Sequence, residues 1–115
     1  MDDSQFAYLR GRLEQAWDER TSAGGFTAER PSTGQCAVVA LVVHDMLGGE
    51  ILRVVNAGDS HYFNRIDGNE LDLTRDQFAV WFPSPVETRT REYLESSATT
   101  MERYLLLKQH LADIH

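Results

Sequence analysis

Pro31-Ser32-Thr33-Gly34-Gln35-Cys36-Ala37-Val38-Val39-Ala40-Leu41-Val42-Val43 carries the chain from a turn-forming segment into a long apolar run, and it holds the only cysteine. The run has two readings. Val38, Val39, Val42 and Val43 are β-branched and would suit a buried strand. Length decides for a helix, because Gln35 through Leu47 exceeds a usual strand and Gly48-Gly49 is a ready stop. Ser32 to Gln35 fits the S-x-x-Q capping box of a helix start. Cys36 then lies in the first turn, where free amides and the helix dipole favour negative charge. A thiolate is negative, so this position suits a nucleophilic cysteine.

Working outward, 115 residues fit one domain, 1–115, with a single core. The net charge of -7 argues against a nucleic-acid backbone or an anionic membrane as partner. No window approaches the length of a membrane span. Met1-Asp2-Asp3-Ser4 is acidic and lacks the pattern of an export signal. A lone cysteine makes no intrachain disulfide. A cytoplasmic protein is the expectation, with no cofactor and no metal.

Before the central run, Phe6, Leu9, Leu13 and Trp17 recur at helical steps, predicting a helix capped by Ser4 and running to about Arg20. Residues 21–34 read as a loop. After the run come three short strands, 50–55, 60–66 and 69–73, with a turn at Asn56-Ala57-Gly58-Asp59. Asp67-Gly68 is the strongest hairpin signal. Residues 74–78 read as a capped turn of helix or a loop, and Phe82-Pro83-Ser84-Pro85 interrupts regular structure. The segment 86–98 is ambiguous. A last helix opens on Thr99-Thr100-Met101-Glu102, with Met101, Tyr104, Leu105, Lys108 and Leu111 near one face.

A two-residue loop at Asp67-Gly68 pairs Ile66 with Asn69, Asn64 with Leu71, Phe63 with Asp72 and Tyr62 with Leu73. Alternation then puts His61, Phe63 and Asp72 on one face, and Tyr62, Asn64, Ile66, Leu71 and Leu73 on the other. His61 and Asp72 become diagonal neighbours about 7–8 Å apart at the backbone, within side-chain reach. One extra loop residue would separate them. Cys36, His61 and Asp72 thus form a candidate triad: nucleophile, base and acid, and the carboxylate that fixes the imidazole. The Cys36 amide is one candidate oxyanion donor.

Gly34-Gln35-Cys36 before an apolar helix, Ser60-His61-Tyr62-Phe63-Asn64, and Asp67-Gly68 with Asp72-Leu73-Thr74 resemble the transglutaminase-like branch of the papain-like superfamily. The resemblance implies nucleophile, base and orienting acid at Cys36, His61 and Asp72. Ala37 departs from it, since transglutaminases usually carry tryptophan there. The fuller run from Ser32 through Phe78 resembles the bacterial YunG-like family, whose name carries no substrate.

Blander readings stand beside these. Cys36 alone is a common type of small core residue. His61 beside two aromatics is a satisfied core histidine, and Asp72 a turn-capping acid. His44-Asp45 reads as a helix-end pair, and a metal site from Cys36, His44, Asp59 and His61 lacks paired ligand spacing. Trp81-Phe82 reads as core or cleft wall, and Asn64 as a rival orienting residue on the wrong face. Arg53 and Arg65 read as carboxylate-binding or solvated. The expectation is an α+β, papain-like fold: the Cys36 helix on a small antiparallel sheet, with helices at both termini. The expected function is a cysteine hydrolase or acyl/amide transferase acting on an amide or thioester, in a peptide or small molecule. The alternative is an inactive papain-like binding module or an oligomerisation protein.

Overall fold

The computed structural model describes residues 2–114. The elements run α1 (Asp3–Ala16), α2 (Cys36–Leu47), β1 (Glu50–Asn56), β2 (Asp59–Ile66), β3 (Asn69–Leu71), a 3-10 turn (Arg75–Gln77), β4 (Glu87–Arg89), α3 (Arg91–Glu95) and α4 (Ala98–Ala112). The architecture is α+β: four helices and one antiparallel sheet of order β3-β2-β1-β4.

The central run is helical, as its length requires. Every residue from Val38 to Val43 is buried. That apolar girth fits a helix packed between β1 and β2 and the helices α3 and α4. Gly48 ends it, its amide bonding to the His44 carbonyl. The start differs from the capping-box reading. Gln35 occupies the cap position without a side-chain cap bond, and its Nε2 donates instead to the Asp18 carbonyl at 3.2 Å. Ser32 is fully buried, and only its backbone carbonyl serves Gln35, accepting from that amide at 3.1 Å. The loop that delivers Cys36 therefore replaces a side-chain cap.

Two other caps also sit away from the expected residues. In α1, Asp2 rather than Ser4 caps, in a reciprocal box with Gln5. The helix stops at Ala16, not Arg20, because Asp18 folds the next turn back by accepting from the Arg20 and Thr21 amides. In α4, Ser97 caps by accepting from the Thr100 amide, so the box at Thr99 is not used. On α4, Leu105 is exposed, while Tyr104 and Leu107 enter the core. Phe6 on α1 is likewise largely outside it.

The second hairpin keeps the expected register next to its turn, but the pairs Phe63–Asp72 and Tyr62–Leu73 do not form because the chain leaves the sheet after Leu71. Ile66 pairs with Asn69 and Asn64 with Leu71 across Asp67-Gly68. The third strand stops at Leu71, earlier than its pattern suggests. The β1–β2 hairpin also turns on two residues, and Ala57 there has φ 52°. Such primed turns favour asparagine or glycine at that position, since alanine meets its own backbone. Ala57→Asn is expected to raise stability by about 0.5–1 kcal/mol; a denaturant midpoint that does not rise would refute it. β4, absent from the sequence reading, pairs with β1 through Ile51–Arg89, Leu52–Thr88 and Arg53–Glu87.

The sheet has two buried faces. Ile51, Tyr62, Ile66 and Leu71 pack with α2, α1 and α4 in the main core. Leu52, Val54 and Phe63 form a second cluster with Trp81 on the far face. No helix among the described residues is long and apolar enough to cross a membrane.

Candidate active site

Hairpin parity puts His61 on the Phe63 side of the sheet, the face opposite the body of α2. The His61 side chain has no solvent exposure and packs 4.8 Å from Phe78 and 5.6 Å from Trp81, both edge-on. Phe63 stacks beside it at 5.7 Å. Asn64, with the opposite parity, donates to the Ala40 carbonyl of α2 at 3.1 Å and so stays away from the imidazole.

Asp72 meets His61 as the diagonal register requires. Its Oδ2 lies 2.6 Å from His61 Nε2, and its side chain is only 7% exposed. Asp72 is fixed in turn. Its Oδ1 accepts from the Thr74 amide at 3.2 Å, and Oδ2 accepts from Arg75 Nε at 2.7 Å. The Arg75 guanidinium lies flat over Trp81, 3.7 Å from the ring centroid, and so closes the site from the far face.

Cys36 is the first residue of α2 and is partly exposed. The amides of Cys36, Ala37 and Val38 precede the first intrahelical bond, from Val39 N to Gln35 O at 3.0 Å. β3 pairs only with Asn64–Ile66, so β2 has no strand neighbour on that side at His61–Phe63. His61 Nδ1 is buried and makes no well-formed hydrogen bond among the described residues. The Cys36 thiol is nevertheless near enough to act on the ring. Burial lowers the His61 pKa, but the Asp72 hydrogen bond and then the Cys36 thiol overcome it, and the pKa is raised to about 9. Burial also works against charge on Asp72. Its bonds to His61 and Arg75 outweigh that and hold the carboxyl below the usual carboxylate range.

The three candidate residues are therefore brought together. Other singled-out residues are not part of this cluster. His44 sits at the other end of α2, with Nδ1 3.0 Å from Arg91 Nη1, and Asp45 pairs with Arg91 at 2.8 Å. Arg65 pairs with Glu50, and Arg53 with Glu87 and the Ser60 hydroxyl. Trp81 walls the site, whereas Phe82 is 85% exposed and belongs to neither core nor cleft. Among the described residues, no three His, Cys, Asp or Glu side chains converge as a metal site.

A cavity of about 400 Å³ opens beside the thiol, lined by Cys36, Gly34, Tyr62, Phe78, Thr100 and Arg103 among others. Gln77 ties its two walls. The Gln77 Oε1 accepts from the Gly34 amide at 3.2 Å, and its Nε2 donates to the Thr74 carbonyl at 3.1 Å. Arg10 of α1 secures the same turn, donating to the Leu73 carbonyl at 2.7 Å and to Asp76.

A family model described as YunG protein matches residues 5–115. The chain belongs to the YunG family. A relative from Bacillus subtilis (strain 168), described as "Uncharacterized protein YunG", is 36% identical over 107 residues, 88% of this chain and 83% of the relative. No solved structure matches. In this YunG chain the sequence reading had missed Arg75, Phe78 and Gln77, which hold the Asp72–His61 pair and the Cys36 loop. The one available signal was Thr74-Arg75-Asp76-Gln77-Phe78 starting two residues after Asp72, with a basic residue three positions after a buried acid.

Proposed function

We propose that the chain is a cysteine hydrolase or acyl/amide transferase of papain-like, transglutaminase-like type, working in the cytoplasm on an amide or thioester. The observation that carries this reading is the buried imidazole, bonded through Nε2 to Asp72 and left with Nδ1 free on the side where Cys36 acts on it. A core histidine would satisfy both nitrogens. In this reading the imidazole is placed to take the thiol proton as the sulfur becomes the nucleophile.

In this mechanism the thiolate attacks the acyl carbon, and the developing oxyanion is met by amides at the start of α2. Imidazolium Nδ1–H gives its proton to the departing amine or thiol, leaving a thioester on Cys36. The neutral imidazole then takes a proton from water or an amine as that nucleophile attacks the thioester. Acid or new amide leaves, and the ion pair is restored. Asp72 keeps the ring oriented throughout and does not itself take the proton.

Iodoacetamide is expected to alkylate Cys36 rapidly at neutral pH, where an ordinary thiol titrating near about 8.5 reacts slowly. His61→Ala is expected to slow the reaction by about 10²-fold, of the order contributed by one positioned acid–base group. Peptide mass mapping over time measures both rates. Equal rates in the two proteins would sink the reading.

A further inference from the structure

Two charged residues, Arg103 and Asp59, line the cavity beside Cys36. Arg103 of α4 lines it, in a chain carrying 18 acidic against 11 basic residues. Among the described residues Arg103 forms no ion pair; its one polar contact runs from Nη2 to the Thr100 hydroxyl at 3.2 Å. Its Nε–H is occluded and unpartnered. Arg10, Arg53, Arg75 and Arg91 each hold a carboxylate, whereas Arg12 bridges α1 to the Leu111 carbonyl without one. Asp59 lines the same cavity, is exposed, and makes no ion pair with Arg103.

A partly buried guanidinium compensated by one hydroxyl is an incomplete arrangement, because its donors lose water without gaining an acceptor of matching charge. The planar fork suits a carboxylate, which takes two donors at once. A carboxylate in the cavity would supply the acceptor that this guanidinium lacks. Tyr62 and Phe78 supply apolar wall between this charge and the sulfur.

We infer that Arg103 is a specificity-determining residue that receives a carboxylate of the substrate, so that the site takes amides or thioesters bearing a free acid group near the reacting carbonyl. The inference rests on the acyl chemistry proposed at Cys36 and names the substrate class for that same site.

Chloroacetyl-glycine and chloroacetyl-glycinamide test it. Both alkylate a thiol with loss of chloride, and they differ only in the carboxylate. The wild type is expected to prefer the acid by about tenfold, the yield of one charge-assisted contact. Arg103→Met is expected to abolish that preference; Arg103→Gln replaces it if the methionine variant does not fold. Attraction of the acid by imidazolium is common to all these proteins, so the change in ratio isolates Arg103. An equal ratio in wild type and variant overturns the inference, and a fast amide probe in that case leaves the nucleophile intact. If neither probe reacts with the wild type, the acyl chemistry falls. Calorimetric titration with glutarate and with neutral glutaramide then decides the Arg103 inference alone. Arg103-dependent binding of glutarate supports it, and its absence overturns it.

Discussion

Asp72→Ala is expected to destabilise the protein by about 3–5 kcal/mol, the range for removing one partner of a buried ion pair. The imidazole it leaves has no solvent exposure and is walled by Phe63, Phe78 and Trp81. Neither water nor another side chain replaces the lost acceptor. Arg75, 40% exposed on its side chain, turns to solvent at little cost and adds little to the loss.

The pH profile distinguishes this from a simple packing defect. In the wild type, folding raises the His61 pKa from 6.5 to about 9. The folded state thus holds the proton more tightly than the unfolded chain. Its contribution is complete below about 6.5 and is lost as pH rises through about 9. Asp72 works in the opposite sense. Its folded pKa is lowered, so its contribution is present above the unfolded value of 3.8 and lost as pH falls through the folded one. In Asp72→Ala, burial is the leading influence left on His61, and the decline between about 6.5 and 9 is expected to disappear. Urea unfolding at several pH values measures it. A variant that keeps the wild-type decline would show that His61 owes its charge to another group.

Gly34→Ala is expected to cost at least about 3 kcal/mol, combining a strained φ with a clash that backbone must relieve. Gly34 has φ +77°, and an added Cβ would lie 2.2 Å from Ser22 Oγ, 2.6 Å from Gly24 O and 2.9 Å from Ala23 N. The serine cannot simply swing aside, because its hydroxyl donates to the Thr33 carbonyl at 2.8 Å and accepts from the Gly24 amide at 3.0 Å. The Gly34 carbonyl also receives the Ala23 amide at 2.9 Å. Since Cys36 follows two residues later, its alkylation by iodoacetamide is expected to slow as well. Chemical denaturation of this variant beside Gly11→Ala, whose Cβ meets nothing within 4 Å, separates local clash from loss of glycine as such. A cost below about 1 kcal/mol would mean that the 22–24 loop yields easily.

Much of the architecture could be read from local chemistry. Asp67-Gly68 fixed the second hairpin's register, and with it the meeting of His61 and Asp72, because two-residue turns leave no freedom in pairing. The helix at Cys36 could be read from its length and its glycine stop. What escaped depends on tertiary choice. Several polar residues stand at or beside each helix start, and packing rather than pattern selected Asp2, Gln35 and Ser97 as the caps. β4 contributes three residues, Glu87, Thr88 and Arg89, too few and too polar to show alternation. The shell of the candidate site lies in the turn and loop after Asp72. Its order comes from contacts with α1 and the Cys36 loop, through Arg10 and Gln77, which no short-range pattern records. Arg103 is invisible for the same reason, being one more charge on an amphipathic helix until α4 docks beside the thiol.

The hairpin that joins His61 to Asp72 acts as a ruler. Eleven residues of chain, folded back on a turn with no slack, set the imidazole–carboxylate distance, and the large central helix does not enter into it. Length changes are therefore quantised. A family member that gains or loses one residue between the two positions must take its acid from somewhere else, whereas a change of two on matching arms of the ribbon can pass unnoticed. The cysteine arrives on a separate tether, the 17–35 loop, which Ser22, Gln35 and Gln77 pin through bonds that do not involve the charged pair.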